Sequence, residues 1–572
     1  MVVDTLPAQL IRTRRFALGT PRALTGADGG KTVLFLRSRA GDDPVEHLWA
    51  LDVASGAERL VAEGPITSYG IGGGLIVFVR GGQLCGPDGV LAAFPVTDPR
   101  PDPAGRRVAG LRDGVLHVIE DGETTDLGPV AAPHTSAGRS FWWSPDGSRL
   151  LLARADPAMP LPGEPLPRVR LEITGGGPAL DDIDYLIDAG WDETGPWAVV
   201  QSRDQRTVRL LGLDPFEEIA TLRDDRWVHV VPGLPRRTKS GVVVAHEDRD
   251  GTRFLTVGGV AVTPPGRQLR SVLSVTESKI VFTASDDPLA VDLWSYRPGI
   301  GVTPAAEPVP ESRAERPLLD LRRISLVLGS RRLRAHLYLP RDHRSGKLPV
   351  LLDPYGAPAR QRVTNVPDFR AYVSQWFAEQ GFAVLVVDGS GTPGRGPDWE
   401  KEIYGDPFRR PLDDQVTGLH EAARQHPELD LERVGIRGWS FSATLAILAV
   451  LERPDVFHVA VAGAGVTDQR RYNAYLRERT LGRPPDHPDR YDGLSLPDLA
   501  PRLTRPLLLM HGLADRNVRP EHTLRLSEAL TAAGRPHELM LLPGVGHAAV
   551  GAPGAESLLD SQARFLSAHL RG

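Results

Sequence analysis

Residues 433–451 read RVGIRGWSFSATLAILAVL. The run ahead of Gly438 has strand character and the run after Ser440 is helical. Between them lies a sharp turn, Gly438-Trp439-Ser440-Phe441-Ser442. A nucleophile elbow puts a serine at the tip of such a strand–turn–helix joint, with small residues, usually glycines, two positions either side. Gly438 meets that demand, but Ser442 stands where the second glycine is usual. A Cβ at this point is expected to crowd the elbow at a cost on the order of 1 kcal/mol, without forbidding it.

The sequence around this joint repeats one rhythm. PVLLDPYG, FAVLVVDGSG, VAVAGAG, PLLLMHG and HELMLLPG are short apolar runs ending in Gly, Asp or Ser. Helical stretches such as FRAYVSQWFAEQG, LDDQVTGLHEAARQH and PEHTLRLSEALTAAG separate them. Strand–helix alternation of this kind predicts a largely parallel sheet covered by helices, with chemistry in the loops at the C-terminal strand ends. Those loops hold Ser440, Asp515 and His547, in the chain order of α/β-hydrolases. A histidine that takes the serine proton, oriented by a carboxylate, turns a weak hydroxyl into a nucleophile. The plainer alternatives are a helix N-cap for Ser440, a turn former for Asp515 and a surface loop for His547.

From about residue 30 to 310 the pattern is different. KTVLFLRS, HLWALDV, GLIVFVR, SRLLLARAD and GVVVAHE are alternating runs bounded by Gly, Asp, Pro or Ser. A strand–turn–return unit recurs in LWALDVASGAERL, LHVIEDGETTDL and LWSYRPGIGVTP. This predicts an all-β propeller of roughly seven or eight blades, with a pair of β-sandwiches as the alternative. The charged, proline-containing stretch PESRAERPLLDLRR marks the junction. The expected domains are a propeller over 1–315, whose first residues pack on the second domain, and an α/β-hydrolase domain over 316–572.

Composition narrows the functional classes. The chain has 572 residues and a formal charge of −5, from 67 basic and 72 acidic residues. That balance gives no reason to expect nucleic acid or an anionic membrane as partner. With Cys85 as the single cysteine, intrachain disulfides and thiolate zinc sites are excluded. No stretch approaches the roughly 18 apolar residues of a membrane span, and the first residues lack a signal-peptide pattern; a cytoplasmic protein is the expectation. No cofactor and no metal is expected. GSGTPG, residues 389–394, mimics a dinucleotide fingerprint but contains proline, and GADGGKT is short for a phosphate loop and runs into a strand.

Together LLDPYGAPARQRV, VLVVDGSGTPGRGPDWEKEIYGD, LDDQV, VGIRGWSFSA, PLLLMHGLADRNV and LLPGVGH resemble the prolyl oligopeptidase family of serine peptidases, in its dipeptidyl-peptidase and acylaminoacyl-peptidase-like bacterial branch. The resemblance implies a propeller covering the active site, Ser440 as nucleophile, and an oxyanion hole from the Tyr355 hydroxyl and the Phe441 backbone N–H. It places the substrate pocket at Trp439, Gln469, Tyr472, Leu476, Asn517 and Val518. Departures accompany it. Ser442-Ala443 replaces Gly-Gly, and Gln469 replaces a tryptophan. Asn473, Leu476 and Thr480 replace Asp, Tyr and Tyr, and Ser390 stands where arginine is common. An aromatic-walled proline pocket would thus lose much of its surface. The stretch at 124–145, where a glutamate pair for a free amino terminus would lie, has none, and Glu217-Glu218 sits elsewhere in a strand-like context.

The leading expectation is a serine hydrolase that cleaves short peptides or related acyl substrates. A second is an esterase, amidase or acyltransferase on a non-peptide substrate. A third is a binding scaffold with weak or absent catalysis. Homo-oligomerisation is compatible with the sequence.

Overall fold

The computed structural model describes residues 5–571 apart from 132–137, 156–158, 178, 307, 357, 359 and 553. Alternating apolar residues between 22 and 304 form seven four-stranded antiparallel sheets, each of consecutive strands. They cover residues 22–62, 66–92, 97–129, 141–183, 185–223, 236–261 and 268–304. The buried faces do not pair off into two stacked layers, as sandwiches would. Instead each sheet packs on the next in line. Leu34, Leu36 and Leu48 of the first meet Ile66 and Phe78 of the second. Val77 and Val79 then meet Val108 and Ile119 of the third, and Leu151 and Leu171 of the fourth meet Leu186 and Ala198 of the fifth. This is a seven-bladed propeller among the described residues.

Each blade is contiguous in sequence, and the segment after the last blade ties both ends of the ring together. Arg37 of the first blade is fully buried, pairs with Glu58 at 2.6 Å and donates to the Glu311 carbonyl at 2.6 Å. Arg313 N–H donates to the Gly19 carbonyl at 2.7 Å.

The second half is one eight-stranded sheet. In spatial order its strands are Arg323–Leu328, Leu333–Tyr338, Ala383–Asp388, Leu348–Leu352, Leu429–Trp439, Val459–Gly463, Leu507–Gly512 and Glu538–Leu542. The first two pairings are antiparallel and the remainder parallel. Central strands such as AVLVVD and VAVAG are buried at every position, as a sheet with helices on both faces requires. The strand ending at Trp439 lies in the middle and runs directly into the helix Phe441–Glu452.

The N-terminal helix Leu6–Arg12 belongs to this second body. Leu6 and Leu10 share a core with Phe377, Leu558, Leu559 and Leu566. Elsewhere the propeller meets the hydrolase half through charged and polar groups and through aromatic contacts, with Trp227 in the hydrolase core and Tyr475 against Tyr185. Arg203 forks onto Glu478 at 2.8 and 2.7 Å, and Gln205 donates to the Tyr475 carbonyl at 2.6 Å. Arg253 bonds Glu400 at 3.0 Å, and Lys401 reaches Asp224 and Asp248. Among the described residues no helix is long and apolar enough to cross a membrane.

Leu10 is fully buried between helices from distant parts of the chain. Leu10→Ala should destabilise the hydrolase half by about 2–5 kcal/mol. Differential scanning calorimetry should show its transition moving to lower temperature, and an unchanged transition would mean that the helix is not docked in solution.

Candidate active site

Ser440 has φ 63° and ψ −120°, a left-handed conformation that is strained for a residue with a Cβ. The surroundings force it. The Ser440 N–H donates to the Gly463 carbonyl at 2.8 Å. A Cβ on Gly438 would lie 2.1 Å from the Ser442 carbonyl oxygen, so the first small position admits only glycine. The second does not. Ser442 lies within the helix, where no positive φ is required, and its hydroxyl bridges the turn. It accepts from the Trp439 N–H at 2.9 Å and donates to the Trp439 carbonyl at 3.0 Å. The expected crowding is replaced by a clamp across the elbow.

Ser440 occupies the N-cap position, but its hydroxyl makes no capping bond. It lies 3.0 Å from His547 Nε2. The other ring nitrogen, Nδ1, is 2.7 Å from Asp515 Oδ2. A carboxylate only accepts, so Nδ1 carries the proton and Nε2 presents its lone pair to the serine. Asp515 is also a turn former, with Oδ1 accepting from the Asn517 and Val518 N–H groups at 2.9 and 3.0 Å. Burial works to raise its pKa. Bonds from His511 and His547, with the Asn517 N–H, outweigh that and hold it far below the usual carboxylate range. His511 is fully buried between Thr523 and Val518.

Trp439 couples the elbow to the histidine. Its indole N–H donates to the His547 carbonyl at 2.8 Å. Its ring lies on Gly463, where any Cβ would come within 2.0 Å of it. This arrangement can deprotonate a hydroxyl, stabilise the imidazolium that results, and return the proton to a leaving group.

Two cavities meet at Ser440. One also contains His547, Trp439, Arg360, Arg362 and Arg437. The other contains Phe441, Tyr472, Leu476 and Arg477, with Trp227 and His229 from the propeller. Tyr355 lines both. Phe441 opens its helix, so its backbone N–H has no acceptor within that helix. The loop bearing Tyr355 is anchored by the buried Asp353, which takes Arg437 at 2.7 Å, Arg362 at 2.9 Å and Ser374 at 2.7 Å.

Of the pocket positions read from sequence, Tyr472 and Leu476 line the second cavity, and the Tyr472 hydroxyl meets Asn517 Oδ1 at 3.1 Å. Trp439 lies on the His547 side. Asn517 lines a neighbouring cleft. Gln469 and Val518 are fully buried. Ser390 does not leave its surroundings without a cation. Its buried hydroxyl lies between Glu402 and Asp414, and Arg331 reaches all three from the turn of the neighbouring hairpin. Glu217 and Glu218 sit on the outer strand of the fifth blade, paired with Arg237 and Arg209. Sequence reasoning missed His511, Trp227, His229 and Arg477. Only Arg477 left a signal, an arginine on the buried stripe Ala474–Arg477–Leu481 of its helix.

Residues 367–572 match the sequence model of the prolyl oligopeptidase family. Over 220 residues the chain is 37% identical to "Dipeptidyl peptidase 8" of Mus musculus, an alignment covering 37% of this chain and 24% of that protein. Over 222 residues it is 31% identical to "Dipeptidyl peptidase family member 1" of Caenorhabditis elegans, covering 37% and 27%. The aligned part is thus about a quarter of these relatives' length. The crystal structure of Porphyromonas gingivalis dipeptidyl peptidase 4 superposes with a TM-score of 0.80 at 19% identity, over 99% of both chains. It shares the two-part fold.

The clamp makes a prediction opposite in sign to the glycine expectation. Ser442→Gly should destabilise the protein by about 1–2 kcal/mol, through the lost bonds and a glycine inside a helix. It should not speed labelling of Ser440 by a fluorophosphonate. Faster labelling of a more stable variant would show that Ser442 is a strained substitute.

Proposed function

We propose that this chain, whose residues 367–572 match the prolyl oligopeptidase family, is a serine hydrolase that cleaves short peptides or related acyl substrates through an acyl-enzyme. The observation that carries this reading is the continuous line Ser440 Oγ, His547 Nε2, His547 Nδ1, Asp515 Oδ2, with separations of 3.0 and 2.7 Å. Ser440 Oγ attacks the substrate carbonyl carbon as its proton passes to His547 Nε2. Charge then develops on the carbonyl oxygen, towards the Phe441 N–H and the Tyr355 hydroxyl. Asp515, held ionised, stabilises the imidazolium. Collapse of the tetrahedral species expels the amine or alcohol, which takes the proton from His547. Water, activated by the same histidine, releases the acid and frees Ser440.

The propeller stands over these groups and contributes Trp227 and His229 to the cavity. Access past it favours short or flexible substrates over folded ones. Release of dipeptides from a free amino terminus is less well supported, although relatives are named for it. An ammonium requires buried carboxylates to pair with it. The stretch 124–145 holds no acidic pair, with residues 132–137 of it outside the described residues. Glu217 and Glu218 are engaged elsewhere.

A fluorophosphonate probe should label the wild-type protein and not Ser440→Ala. Absence of labelling in a protein with intact circular dichroism and a cooperative melt would sink the hydrolase reading in favour of a binding scaffold. Tyr355→Phe should lower kcat by about 10²-fold with little change in KM, as removal of one oxyanion donor does. An unchanged kcat would remove Tyr355 from that role.

A further inference from the structure

The cavity beside Phe441 holds a buried charge without a counter-ion. Arg477 projects from the helix Ala474–Leu481, is 5% exposed, and lines the same cavity as Ser440. Its guanidinium carbon lies 4.9 Å from the ring centre of Tyr472, 5.8 Å from Phe441 and 5.9 Å from Phe408. Nε has no hydrogen-bond partner. Among the described residues no carboxylate pairs with it, and the ionisable groups that act on it are the phenols of Tyr472, Tyr491 and Tyr355. Burial pushes its pKa down to about 10, which leaves it a cation at neutral pH.

Several other guanidinium groups around the site have carboxylate partners. Arg437 and Arg362 share Asp353. Arg331 has Glu402 and Asp414. Arg253 has Asp248 and Glu400. Glu400 lines the same cavity as Arg477, but its Oε2 already accepts from Arg253 at 3.0 Å. Arg479 also lines it and donates to the neutral Gln205 amide at 2.7 Å. Rings that face a guanidinium offset part of the cost of burying it, whereas an anion offsets much more.

The proton path identifies which half of a substrate enters this cavity. His547 protonates the leaving group, so the leaving group lies in the cavity that contains His547. The cavity with Arg477 contains Ser440, Tyr355 and Phe441 without His547, and receives the acyl half.

We propose that the acyl-side cavity selects an acyl group bearing a second carboxylate, with Arg477 as the specificity-determining residue that binds it. This rests on the reading of Ser440 as nucleophile. An aspartyl or glutamyl residue at the attacked carbonyl and a plain dicarboxylic half-ester present the same chemistry to a guanidinium, which prefers planar, two-point contact with a carboxylate.

The test is the rate at which N-acetyl diphenyl phosphonates with glutamate, aspartate, glutamine and alanine side chains modify Ser440. In that reaction a Ser440 Oγ–phosphorus bond forms and one phenolate leaves, taking the serine proton through His547. Wild-type protein should react about 10–100-fold faster with the glutamyl or aspartyl reagent than with the glutaminyl one. R477Q should bring that ratio close to one, and R477K should fall between. Should R477Q not label with a generic fluorophosphonate, R477K carries the comparison. A wild-type ratio of one or below overturns the inference even though the generic probe labels. Failure of that probe on folded wild type removes the nucleophile reading itself, and this inference with it. Glutaryl and butyryl p-nitrophenyl esters separate the sources. A glutaryl preference as large as the glutamyl one assigns the site to dicarboxylic acyl groups in general, and its absence assigns it to acidic residues.

Discussion

The site depends on one strained residue. Holding Ser440 at φ 63° costs about 1–3 kcal/mol, and several independent contacts sustain it. Gly438 lets the first turn of the helix approach the strand, the Gly463 carbonyl fixes the Ser440 N–H, and the Ser442 hydroxyl closes the turn. The same geometry turns Trp439 over Gly463 and aims its indole at the His547 carbonyl. Ser440 and His547, 107 residues apart, are thus positioned by neighbouring residues of one turn. A relaxed turn would move both.

Charge is arranged around this turn in two ways. Asp353 with Arg362 and Arg437, and Arg331 with Glu402 and Asp414, are closed networks in which each buried ion meets its opposite. They fix loops and strand ends. Arg477 differs because it has aromatic faces alone. Desolvating an ion costs several kcal/mol, whereas each aromatic face returns about 0.5–2 kcal/mol. Three faces can make the cation tolerable without making it satisfied. A group in that condition gains from any anion that reaches it, which is the property of a recognition site and not of a structural one.

How much of this was legible in the sequence follows from how local each signal is. Strand-and-turn rhythm over 30–310 and strand–helix alternation after 345 are written in neighbouring residues, so both folds could be read, although not whether the blades numbered seven or eight. Ser440, Asp515 and His547 could be singled out because a strand end ahead of each puts them in loops at one edge of the sheet. The effect of Ser442 was not legible, because only the helical dihedrals show that it lies past the turn instead of in it. Ser390 looked like a lost charge because the compensating Arg331 comes from a hairpin 59 residues earlier. Trp227 and His229 reach the cavity from another domain, and no spacing rule links them to Ser440.

The propeller fixes the side chains of the helix Ala474–Leu481 that face it and leaves Arg477 towards the cavity. Arg477 and Glu478 are adjacent, and about 100° of helical rotation separates their side chains. Arg203 takes both Glu478 oxygens, and the Gly163 N–H adds a third bond at 2.8 Å. Gln205 holds the Tyr475 carbonyl and the Arg479 Nε, and the Tyr475 ring packs edge-on against Tyr185 at 4.8 Å. Glu478 is thereby committed to the propeller and cannot neutralise Arg477. The docked propeller thus leaves a cation unanswered beside Ser440, and under the proposed function the two-domain architecture would act on specificity through charge as well as through size.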